Sequence, residues 1–158
     1  MLHIAPLTAF DDIAVGDRYE TPGIDIGESH VLGFAGLTGD FMPHHVDGQF
    51  SASQGFPERL AHGLLILGLV DGLKNRAGVR FDVVAALGWS EVRFLAPSFV
   101  GDRIQACVTV VEKRETRNPQ RGIVVLQVTA TKQDGTIVLE GKTPQLMHRR
   151  VSDTRARR

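Results

Sequence analysis

The chain has a single cysteine, Cys107. No intrachain disulfide can form, and a reducing compartment is expected. It has no excess of either charge, since Lys plus Arg and Asp plus Glu both number 18. Such a balance gives no long-range attraction for nucleic acid or an anionic membrane, so neither partner is expected. Long hydrophobic runs are missing too. The longest, Gly63 to Val70, falls well short of the ~20 residues of a transmembrane helix. The opening Met1-Leu2-His3-Ile4-Ala5-Pro6 lacks a charged leader followed by a sustained apolar stretch, so no secretory signal is expected. Repeats and linkers are also absent. The 158 residues fit one domain able to bury a core without staples. The expectation is a soluble cytoplasmic protein with one domain over residues 1–148 and a basic tail over 149–158. The stretch from His148 to Arg158 holds five arginines and almost nothing apolar, so a solvated tail is expected there.

Helical signals gather in the first half and strand signals in the second, which predicts an α+β class rather than alternating βαβ units. Arg18 to Ile26 reads as a strand broken at Pro22-Gly23. Glu28-Ser29 opens a helix with Val31, Leu32, Phe34, Ala35 and Leu37 mostly on one side, and Gly39 is a natural stop. Asp47 to Gln54 suits a short capped helix. The longest helix is expected over His62 to Ala77, apolar almost all round and therefore buried on most sides. Its Gly63, Gly68 and Gly72 suggest close approach to a sheet. Beyond Val79 the period becomes two. Leu87, Trp89, Glu91, Arg93 and Leu95 alternate with their neighbours up to Pro97, and Ile104, Ala106, Val108 and Val110 share the face of a long strand. Glu112 to Gly122 reads as a charged turn region, then Val124, Leu126, Val128 and Ala130 mark the next strand. Asp134-Gly135 is a hairpin signal leading into Ile137 to Leu146. One antiparallel sheet wrapped around one buried helix accounts for the pattern.

The chemistry concentrates in Gly39-Asp40-Phe41-Met42-Pro43-His44-His45-Val46-Asp47, followed by Ala61-His62-Gly63 at the head of the apolar helix. Asp40 and His45 put a carboxylate and an imidazole five residues apart on a turn stiffened by Pro43. Such a pair can move a proton if the surroundings tune it toward neutrality. Alternatively, Asp40 caps the turn and His45 is a buried, hydrogen-bonded histidine. Gly63 can offer a backbone N–H at a helix start, where donors lack intrahelical partners and the dipole is positive. Helix–sheet packing is its other reading. Asp47 is best read as an N-cap. His44, adjacent to His45, should diverge from it. A metal site from Asp40, His44, His45 and Asp47 is therefore awkward, and no metal is expected.

The segment resembles the signature of the MaoC-like dehydratases, the family that includes R-specific enoyl-CoA hydratases. The likeness runs from about Phe10 to Met147 and rests on Gly-Asp-Phe-x-Pro-x-His-x-Asp with Ala-His-Gly downstream. It implies the hotdog fold and reversible addition of water to a 2-enoyl-CoA, giving a 3-hydroxyacyl-CoA of R configuration without a cofactor. It further implies Asp40 and His45 as general base and acid, and Gly63 as donor to the thioester carbonyl. Phe41, Met42, Pro43 and His62 would surround the acyl-CoA substrate, with His62 structural rather than catalytic. A homodimer whose two sheets join is the implied assembly. Three positions depart from the family pattern: Met42 where Asn is usual, His44 where Ile or Leu is usual, and Asp71 where hydratases often place a small polar residue. A hotdog thioesterase and a non-catalytic acyl-CoA-binding member are the competing readings.

Overall fold

The computed structural model describes residues 6–150. A two-residue strand β1 (Leu7–Thr8) and a 3-10 turn at Phe10–Asp12 lead into β2 (Arg18–Glu20) and β3 (Ile24–Asp25). Four helices follow: α1 (Glu28–Thr38), α2 (Pro43–Val46), α3 (Gly48–Ser53) and α4 (Gly63–Lys74). The remainder is sheet: β4 (Arg80–Phe81), β5 (Val83–Ala86), β6 (Ser90–Phe94), β7 (Arg103–Glu115), β8 (Arg121–Lys132) and β9 (Ile137–His148). The order of the large sheet is β2-β7-β8-β9-β5, with β3 also on β7 and β6 also on β9. Every pairing in it is antiparallel. Short β1 and β4 make a separate parallel pair that the sequence pattern does not announce.

The long strands follow from their alternation. Ile104, Ala106, Val108 and Val110 on β7, Val124, Leu126, Val128 and Ala130 on β8, and Val138, Leu139 and Met147 on β9 are all buried. Against this inner face packs α4 through Leu65, Ile66 and Val70, making one core cluster. An antiparallel sheet wrapped around a central helix is the α+β hotdog architecture.

Several local expectations change. The helix spans Gly63–Lys74 rather than His62 to Ala77, and its burial is one-sided, with Leu64 62% exposed. Gly68 and Gly72 lie on that open side with no atom near where a Cβ would stand, so they do not mediate close packing. On α1 only Val31 and Ala35 are buried; Leu32 and Leu37 face outward. The stretch Leu87 to Leu95 is not one regular strand. The register shifts between Ser90 and Arg93, and Glu91 takes a positive φ of 53°. An extra residue of this kind bends a strand and reverses the alternation. The charged stretch after Glu112 extends the β7–β8 ladder as far as Glu115 and Gly122 instead of looping. Charges there are tolerated because the ladder has run past the core.

The first two arginines assigned to the tail are held in ion pairs. Arg149 meets Asp11 at 2.8 Å and Glu115 at 2.9 Å, and Arg150 pairs with Asp12. The bond from Arg149, with the Arg150 N–H, holds the Asp11 carboxyl below its ordinary range. Val151 to Arg158 lies outside the described residues.

Asp71 has a structural partner. Its carboxylate lies 2.7 Å from Lys74 Nζ, whose side chain is 8% exposed, and the ammonium sits over the Trp89 ring at 4.9 Å. Removing one partner of a buried pair strands the other charge. Asp71→Asn is therefore expected to destabilise the fold by about 1–2 kcal/mol, below the fully buried case because Asp71 is half exposed. Lys74→Met should be near neutral. Urea midpoints of both variants check this.

Candidate active site

Helix α1 ends where Gly39 enters the left-handed region at φ 79° and returns its N–H to Ala35 O at 2.8 Å. A residue with a Cβ is disfavoured there. The exit aims Asp40, Phe41 and Met42 into an exposed loop. Pro43 then starts α2, a single turn carrying His44 and His45, at the position where a missing N–H costs nothing. Asp47 closes the turn by capping α3, its Oδ1 accepting from Gln49 N–H at 2.8 Å and Phe50 N–H at 3.2 Å. This is the capping role read from its position.

His45 is buried and held from two sides. Its Nδ1–H donates to Leu60 O at 2.8 Å, while Leu60 N–H donates to His44 O at 3.0 Å. Because a carbonyl can only accept, neutral His45 carries its proton on Nδ1 and leaves Nε2 bare. His62, at the head of α4, stacks on His45 with ring centroids 3.6 Å apart. Its Nε2–H donates to the Asp40 carbonyl at 3.0 Å. His62 thus ties the Asp40 loop to α4 and is buried against His45. Its Nδ1 is buried without a hydrogen-bond partner among the described residues.

Asp40, His45 and His62 bring their ligand-type atoms within 4.8 Å of one another. His62 is not in the set Asp40, His44, His45 and Asp47 whose spacing makes a metal site awkward. One nitrogen of each ring already donates to a carbonyl, so the cluster is organised by hydrogen bonds. Burial pushes the His45 imidazole below its ordinary pKa, with His62 and His44 adding to that; the Leu60 carbonyl and Asp40 act in the opposite direction. That direction favours the neutral imidazole, in which Nε2 carries no proton.

Beside it opens a cavity of about 340 Å³, walled by His45, Gly63, Ile66, Phe94, Leu95 and Val138 among others. The wall from Phe94 to Ser98 is fastened to the segment before α4 by Ala61 N–H on Ser98 O at 2.8 Å and, just beyond it, by a Leu60–Phe99 bridge. Gly63 meets the Phe94 ring so closely that a Cβ would stand 2.9 Å from Cζ. The N-cap residue His62 makes no side-chain bond to the first turn, so the leading N–H groups of α4 remain for another acceptor. Asp40, Phe41, Met42, Pro43 and His62 are not among the cavity's lining residues. Phe94 and Leu95, which are, carry no chemical signal in the sequence and are brought in by the fold.

A buried imidazole and a glycine at a helix start thus line one largely apolar cavity. A model described as the MaoC like domain matches residues 12–132. The chain belongs to the MaoC-like dehydratase family. It is 38% identical over 112 residues to Protein MaoC of Klebsiella aerogenes, a match covering 71% of this chain but about a third (32%) of that longer protein. It is 31% identical over 134 residues to the (R)-specific enoyl-CoA hydratase of Rhodospirillum rubrum, covering 84% of this chain and 87% of that one. The solved structure of the R-hydratase PhaJ1 from Pseudomonas aeruginosa superposes with a TM-score of 0.75 at 26% identity, over 90% and 86% of the two chains.

Within this MaoC-like chain the three departures fall in different places. Asp71 serves Lys74, as described above. Met42 is 54% exposed and contributes its carbonyl, which accepts from His45 N–H at 2.9 Å. His44 does the opposite of what adjacency suggests. Its Nε2 lies 3.0 Å from His45 Nε2, with ring centroids 4.1 Å apart. On a single turn the two long rings converge at their tips although their Cβ atoms diverge.

Proposed function

We propose that this chain reversibly adds water across the double bond of a 2-enoyl-CoA, giving an R-configured 3-hydroxyacyl-CoA. The observation that carries the reading is the joint placement of His45 and Gly63 on one apolar cavity, with Asp40 within reach of His45. The thioester carbonyl accepts from the Gly63 N–H at the positive end of α4, which stabilises the enolate-like charge that forms as water attacks. The base's part, which the resemblance gives to Asp40, falls here to His45: with Nδ1–H fixed on Leu60 O, its bare Nε2 takes a proton from the water as the water oxygen bonds to the β-carbon. The proton taken by His45 passes by way of the Asp40 carboxylate to the α-carbon, so each turnover restores the starting protonation state. A proton and a hydroxyl move, and no electron does, so the chemistry asks for no redox cofactor.

The names of the relatives support this reading in both directions, hydration and dehydration. The assembly proposed is a homodimer. Leu37, Phe41, Met42, Leu64 and Phe94 are at least half exposed in one copy, a concentration of apolar surface around the site that a second copy would cover. No helix among the described residues is long and apolar enough to cross a membrane, and the lone Cys107 fits a reducing, cytoplasmic setting.

Incubation with crotonyl-CoA tests the function. Loss of the enoyl absorbance with CoA still esterified is the expected result. Release of free thiol would make the protein a thioesterase. Binding with neither change would make it a non-catalytic acyl-CoA-binding member.

A further inference from the structure

His44 stands where Ile or Leu is usual in the pattern this chain resembles, and its Nε2 lies 3.0 Å from His45 Nε2. At that separation a single proton lies between the two nitrogens. His45 already carries its own proton on Nδ1, fixed by Leu60 O, so the shared proton comes from His44. The lone pair that would take a proton from water is therefore hydrogen-bonded to a side chain.

What His44 can do there depends on its charge. A neutral imidazole exists as two tautomers. With its proton on Nδ1, His44 has no hydrogen on Nε2 and no longer occupies the His45 lone pair, which a water can then take. Protonated His44 carries hydrogen on both nitrogens and has only the donor form. Its bond to His45 is then charge-assisted and about twice as strong as a neutral one. Two imidazolium rings facing each other at this distance would bring two N–H groups together, so protonation of His44 also excludes protonation of His45. His44 is half-buried while His45 is buried, so water reaches His44 more readily.

We propose that His44 is a positioning residue that acts as a proton-operated cap on His45: neutral it yields Nε2 to the reacting water, and protonated it holds Nε2 shut. This rests on the function proposed above and adds a determinant that a chain with Ile or Leu at this position lacks. The titratable groups acting on His45 are His44 on its own turn, Asp40 on the loop after α1 and His62 at the head of α4. Of these, only His44 is hydrogen-bonded to Nε2. Burial lowers the pKa of His45 itself.

The test is the pH profile of kcat/KM with crotonyl-CoA for the wild type, His44→Leu and His44→Gln. The cap predicts that the acid limb moves to lower pH in both variants, by at least about half a unit, leaving the limb to His45 alone. If His44 acted only as a neighbouring positive charge, its removal would raise the His45 pKa and move the limb to higher pH. That result, or an unmoved limb, overturns the proposal. Gln is polar and near His in length, so agreement between the two variants sets aside lost packing. A ¹⁵N titration of the His45 ring reads the contact without turnover. Its Nε2 resonance should move with the protonation of His44 in the wild type and lose that step in both variants. If the step is absent from the wild type, the cap is wrong whatever the enzyme does. If the step is present but crotonyl-CoA is not hydrated, the contact stands and the function proposed for the site is what fails.

Discussion

Asp40→Asn and His45→Gln should each lower kcat by at least ~100-fold, the usual scale for removing a general acid or base. Both changes spare the framework. Asn at 40 keeps an oxygen for the long 3.4 Å contact from Met42 N–H, and the backbone carbonyl that anchors His62 is untouched. Gln at 45 keeps an N–H that can reach toward Leu60 O, although it loses the ring that stacks on His62. A modest drop in melting temperature is therefore expected for His45→Gln and almost none for Asp40→Asn. Activity per folded molecule is the deciding measurement. A variant that binds substrate normally and retains more than about a third of the wild-type kcat would show that its residue has been given the wrong role.

Gly63→Val should yield a folded protein that is inactive by at least ~100-fold, comparable to loss of an oxyanion donor. The N–H survives the substitution, so the loss must come from crowding. A Cβ at 63 would stand 2.9 Å from the tip of the Phe94 ring. Phe94 is 50% exposed, so its ring can turn aside rather than force the sheet and helix apart. Both residues line the cavity, and a displaced ring together with the added methyls obstructs the carbonyl end. Shorter acyl groups should give no rescue. Stability should stay within ~1 kcal/mol, because the relief of a helical glycine offsets part of the contact strain. Gly63→Ala combined with Phe94→Leu supplies the control, since removing the ring's tip should restore a substantial part of the turnover. Normal specific activity in Gly63→Val would remove Gly63 from the site, and a protein that melts early but turns over normally per folded molecule would make the glycine a packing residue.

The parts of the fold that the sequence announces are those where one face is buried and the other is not. Ile104 to Val110 and Val124 to Ala130 alternate because the pleat does, and the burial follows residue by residue. The Asp47 cap and the Gly39 stop were legible because each has a local backbone reason. The irregularity near Glu91 was not legible, since an inserted residue in a strand leaves no trace in composition. Nor was the open side of α4. Leu64 has the same apolar character as Leu65, and only the position of the sheet decides which of them is covered. In the site, the motif contains Asp40, which lies near His45, and His45 and Gly63, which line one cavity. It could not show that Phe94 closes on Gly63 or that His44 and His45 converge, because both contacts depend on three-dimensional reach rather than spacing.

The position of α4 along the chain has a consequence for biosynthesis. The three long strands that cover its apolar face, β7, β8 and β9, all lie C-terminal to it. At ordinary translation rates of about 5–20 residues per second, the helix leaves the ribosome several seconds before β9 is complete. This apolar segment is therefore made before the long strands that shelter it. Until the meander closes, a nascent chain carries that segment uncovered, and a ribosome-associated chaperone is the agent suited to hold it.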